Sequence, residues 1–168
     1  MRSSDRLVAS TADPAWLPRG STAEAWACGS MVSPEPAIIV RLLLTRVGSG
    51  RESEIFCVEA AKGLDLPTRF LGGDDGWTAP TVGLEDLSHD IFGQVIPTYC
   101  VGYVRNVVPT PDETYNYPTP YAHVPVFATT AAIEPVAPGE WVSLSRGGDE
   151  LSTRHWWPIA EWFLSPGR

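Results

Sequence analysis

Lysine is almost missing from this chain: Lys62 is the only one, beside eleven arginines. The 12 basic residues are scattered and outnumbered by 20 acidic ones, giving a net charge of −8. Binding a polynucleotide requires clustered cations that neutralise phosphates, so this balance opposes a nucleic-acid partner. A small phosphorylated molecule stays open, because one or two arginines in a pocket suffice for it. Cysteine is scarce as well. Cys28, Cys57 and Cys100 are odd in number and far apart, with no C-x-x-C pair. That speaks against a disulfide framework and a zinc site, and leaves buried free thiols. No apolar run approaches the ~20 residues of a membrane span; the longest, at 37–44, is interrupted by Arg41. Residues 1–18 carry Arg2, Asp5 and Arg6 without a sustained apolar core, so no secretory signal is expected and a soluble cytoplasmic protein is. Also lacking are a Gly-x-Ser-x-Gly motif, a phosphate loop and a Cys/His pair at catalytic spacing, so nucleophilic catalysis has no local support.

What is present suits one domain: 168 residues, 43% of them hydrophobic, can fill one sizeable core. Residues 1–36, rich in Pro, Gly, Ser and Thr, are expected to form an irregular arm packed on a body at 37–168 through Trp16, Leu17, Trp26 and Cys28. Within the body, 37–47 (AIIVRLLLTRV) predicts a buried strand ending at Gly48-Ser49-Gly50, and 54–60 a return strand. Residues 62–73 predict a turn, a short strand and a glycine pair. From Thr81 to Phe92, Leu84, Leu87 and Ile91 recur at helical spacing opposite Glu85, Asp86, His89 and Asp90, which predicts an amphipathic helix closed by Gly93. A long strand at 97–108, a proline-rich loop at 109–120, strands at 123–129 and 140–144, and a C-terminal helix complete the order. An α+β fold follows, with a mixed sheet between helices in an α/β/α sandwich.

That order resembles the Nudix hydrolase superfamily over about residues 37–164. The features that carry the likeness are Gly72-Gly73 leading into an acidic helix, the strand Gly102-Tyr103-Val104-Arg105-Asn106, and Trp141-Val142-Ser143-Leu144 before a last helix. The family's signature sets glutamates on one helical face, where their oxygens hold divalent metal that bridges a diphosphate. Here Ala79 stands where the first glutamate is expected, Glu85 takes the arginine position, and Gly93 comes one residue late. Asp86, His89 and Asp90 match the spacing of the later acids.

The resemblance implies a hydrolase of a small diphosphate-containing metabolite, aided by Mg²⁺ or Mn²⁺. Asp86, His89 and Asp90 would hold the metal, with Asp86 and Asp90 as the catalytic acids and Glu113 as a base. Arg69 and Arg105 would bind the anion, and Trp77 and Tyr103 would stack on an organic moiety. A histidine among the ligands suits Mn²⁺ or Zn²⁺ better than Mg²⁺. Other readings stay open. The acidic residues can be the solvated face of the helix, and the arginines can pair with Asp65, Asp86 or Asp90. The chain can then be a lapsed ligand- or protein-binding domain, or a metal-independent enzyme reusing the pocket. His123 and His155, the latter beside two tryptophans, fit core or capping roles as well as ring stacking. A homodimer is left open.

Overall fold

The strand period and the helix period divide the chain as follows in the computed structural model, which describes residues 4–166. The strands are β1 (Arg6–Ala12), β2 (Thr22–Ala27), β3 (Ile39–Leu42), β4 (Thr45–Val47), β5 (Ser53–Ala60), β6 (Gly63–Asp65), β7 (Thr68–Phe70), β8 (Gly72–Gly73) and β9 (Gly76–Trp77). Helix α1 (Pro80–Phe92) comes next, then β10 (Tyr99–Val107), β11 (Tyr121–Ala128), β12 (Glu140–Ser143), α2 (Leu144–Glu150) and α3 (Trp157–Leu164). The principal sheet runs β1-β2-β10-β11-β3-β7, parallel only where β11 meets β3. A smaller sheet, β12-β5-β4, lies beside it.

Alternation on the strands sorts the core into two layers. Val40 and Leu42 of β3 meet Leu84, Leu87 and Ile91 of α1 on one face. On the opposite face Val104 and Val124 pack with Trp156, Ile159 and Ala160 of the α3 region. The expected α+β sandwich with a mixed sheet is therefore the observed class.

Helix α1 matches its sequence signals closely. Pro80 fills the first turn, where its missing N–H costs nothing. Gly93 closes the helix at φ 71°, with its N–H donated to the His89 carbonyl. The opposite end is weaker, because Ala79 sits at the N-cap in an extended conformation and offers no side-chain acceptor. Ala79→Ser is expected to stabilise the fold by about 1 kcal/mol in urea titration; no gain would mean that the first-turn amides are already satisfied by solvent.

Two expectations need correction. The first 36 residues are not an irregular arm throughout, because β1 and β2 enter the principal sheet and β2 pairs directly with β10. In β2 the inward positions are Ala23, Ala25 and Ala27, too small to give the apolar signal of a strand. Strand β1 is mostly exposed and carries a register irregularity between Leu7 and Ala9. The second correction concerns 37–47, which is not one strand. It breaks at Leu43 and Leu44: the Leu43 N–H donates to the Phe127 carbonyl, while the Leu44 carbonyl accepts from Phe56. One apolar run thus passes from the principal sheet into the smaller one.

Candidate functional site

Strand β7 ends in Arg69 and Phe70, which alternation sends to opposite faces. Arg69 turns toward α1. Its guanidinium lies 3.3 Å from Asp86 and 3.4 Å from Asp90. The two acids do share a face, as their i, i+4 spacing predicts, but the cation between them is an arginine. One oxygen of each carboxylate is thereby engaged by the guanidinium. Among the described residues no group of three or more His, Cys, Asp and Glu side chains converges as a metal ion would require. A hard divalent ion wants several oxygens, and this donor set, with a guanidinium inside it, does not fit one. His89 is exposed in the last turn of α1.

The remaining candidates separate in space. Arg105 pairs with Glu24 at 2.7 Å and lies over the rings of Trp26 and Tyr121, at 4.8 Å and 5.1 Å. Tyr103 is buried, stacks on Trp26 and donates its hydroxyl to Asp5 at 2.8 Å. Burial and that carboxylate push its phenol above the ordinary tyrosine range. These two residues lock β10 to the first strands. Glu113 is exposed in the 109–120 loop, beside the turn in which Asp112 accepts from the Thr114 amide.

Trp77 has different company. It projects from the β8–β9 hairpin and meets Phe70 edge-on at 5.7 Å and Tyr117 at 6.2 Å between ring centroids. Phe70 and Tyr117 are themselves 6.2 Å apart, and Tyr115 abuts Tyr117 at 5.2 Å. Phe70, Trp77 and Tyr117 wall a cavity of about 560 Å³ that Gly72, Gly73 and Gly76 also line, with Thr114 and Asn116. A Cβ at position 72 would lie 2.6 Å from the exposed Phe70 ring and would displace it from its place in the wall. Phe70, Trp77 and Tyr117 are 52%, 45% and 40% exposed, a costly display of apolar area for a soluble surface. Phe70 and Tyr117 are not singled out from sequence; a phenylalanine two residues before the glycine pair and tyrosines in a proline-rich loop are the available signals.

Because the Arg69 pairs are solvent-exposed, they stabilise little. Arg69→Ala is expected to cost less than about 1 kcal/mol and to leave the melting temperature unresponsive to Mn²⁺, as read by thermal shift; an Mn²⁺ response in this variant alone would mean that the guanidinium masks a cation site.

The architecture defines a mixed α+β protein with an open aromatic cleft. No family model and no curated relative matches the chain. Among solved structures it is similar to a mutant of a Bacillus subtilis pyrophosphohydrolase, at 10% identity and a TM-score of 0.40. The match covers 72% of this chain and only 63% of that one. Likeness of that degree says nothing of activity.

Proposed function

We propose that this protein is a Nudix-like domain that binds a small molecule bearing a flat ring in the cleft between Phe70, Trp77 and Tyr117. The observation that carries the reading is the convergence of three exposed aromatic rings on one glycine-lined cavity of about 560 Å³. Ligand sites are concave, mostly apolar and edged by few polar groups, and Thr114 and Asn116 supply such groups here. A planar ligand gains offset or edge-to-face contacts with these rings. The engagement of Asp86 and Asp90 by Arg69 favours binding over metal-assisted hydrolysis at α1.

Titration with nucleosides and free purines, followed by tryptophan fluorescence and calorimetry, tests the reading. Stacking on one aromatic side chain is worth ~1–3 kcal/mol, so Trp77→Ala is expected to weaken binding by about tenfold or more. Wild-type affinity in both Trp77→Ala and Tyr117→Ala would overturn it. The hydrolase alternative rests on Asp86 and Asp90 sharing one face. It requires Mn²⁺-dependent turnover of a diphosphate substrate that disappears in the Asp86→Asn, Asp90→Asn double variant.

A further inference from the structure

A second cavity of about 530 Å³, which shares no lining residue with the aromatic cleft, is lined by Arg41, Lys62, Asp65, Arg154, His155 and Trp16. Its charges do not balance. Asp65 is the carboxylate that holds the wall together: one oxygen accepts from Arg41 at 3.0 Å and from the Trp156 indole at 2.7 Å, and the other lies 3.4 Å from Arg154. A further acid on the rim, Glu150, is bound by Arg146 at 3.0 Å. Arg146 is shared between Glu150 and Glu140 and so does not cancel the Glu150 charge; three cations of the lining therefore face two carboxylates, and one positive charge is left uncompensated.

The surplus sits where it is strong. The Arg41 side chain is 10% exposed, and its Nε is buried with no hydrogen-bond partner. Charge withdrawn from water in this way projects a field that nearby solvent screens poorly. His155 also has a buried, unpartnered Nδ1. Burial and the neighbouring cations hold it below the ordinary histidine range, so it remains a neutral wall and not a further charge. The groups open to a ligand are Lys62, exposed on the turn before β6, and the partly exposed Arg154, whose position is fixed by bonds to the Lys62 and Leu64 carbonyls. Trp16, 49% exposed and stacked on His155 at 4.6 Å, adds an apolar shelf.

We propose that this cavity is a phosphate-monoester site, in which Lys62 and Arg154 meet the oxyanion, the buried Arg41 supplies attractive field, and Trp16 carries the organic part. The chain's only lysine then has a task that the acidic surface elsewhere cannot perform. This site is independent of the aromatic cleft and would stand if that reading failed.

Calorimetry on the full chain with inorganic phosphate and phenyl phosphate tests it, at constant ionic strength set with chloride. Both are expected to bind, phenyl phosphate more tightly. Lys62→Glu, at an exposed position that the fold does not depend on, is expected to weaken both by at least about tenfold through charge reversal. Trp16→Ala is expected to remove the preference for phenyl phosphate while inorganic phosphate still binds. Trp77→Ala is expected to change neither. Absence of phosphate binding, or equal binding in the wild type and Lys62→Glu, would overturn the proposal.

Discussion

Asp65→Ala is expected to lower the unfolding free energy by about 3–5 kcal/mol in urea titration, because it strips the counter-charge from two arginines at once. Arg41 and Asp65 are 10% and 13% exposed in their side chains, so water cannot take over the lost contacts. The carboxylate also accepts from the Trp156 indole and from the Leu66 amide at 2.8 Å, and both donors would be stranded. Burial already pulls the Arg41 pKa below its ordinary value, with Asp65 as the main opposing influence. Asp65→Asn keeps the shape and some acceptor capacity but not the charge, and is expected to lose roughly half as much. A loss under about 1 kcal/mol for the alanine variant would show that the arginines relax to solvent.

Gly102→Ala is expected to cost about 3 kcal/mol, the upper end of what overpacking imposes. A Cβ at this position would stand 2.5 Å from the Trp26 carbonyl oxygen and 2.5 Å from the Ile159 side chain. The side chain can be trimmed, but the carbonyl belongs to the neighbouring strand of the same sheet. A double-mutant cycle with Ile159→Ala separates the two contacts. The coupling is expected to recover only part of the loss, and full recovery would mean that the strand yields without cost.

These two positions illustrate what was legible in the sequence. The sequence offers Asp65 as one possible partner for Arg69 or Arg105, but the arginines it holds are Arg41 and Arg154, from distant segments. Arg41 announced itself only as an interruption in an apolar run. Helix α1 was readable because Leu84, Leu87, Ile91 and Gly93 obey local rules, and β10 because its branched and aromatic residues leave no other periodic choice. Strand β2 gives little apolar signal, since its inward residues are small alanines, buried by the α3 region packing over them. The break at Leu43 depends on a hydrogen bond to the Phe127 carbonyl and one from the Phe56 amide, both contributed by other strands, and no local pattern encodes it. For the same reason Trp77 could be noted for stacking, whereas its convergence with Phe70 and Tyr117 arises only when the 109–120 loop returns over the glycine hairpin.

The irregularity between Leu7 and Ala9 bears on what the free border of the sheet offers to an added strand. The principal sheet ends in two very unequal borders: β7 has three residues, and β1 has seven. A flat border of seven residues invites another chain to add a strand, the first step toward aggregation. A bulge twists such a border and puts its free amides and carbonyls out of step with a straight partner. With Arg6 at its start, β1 therefore closes the sheet against unwanted growth on its longer side, while β7 is too short to template any.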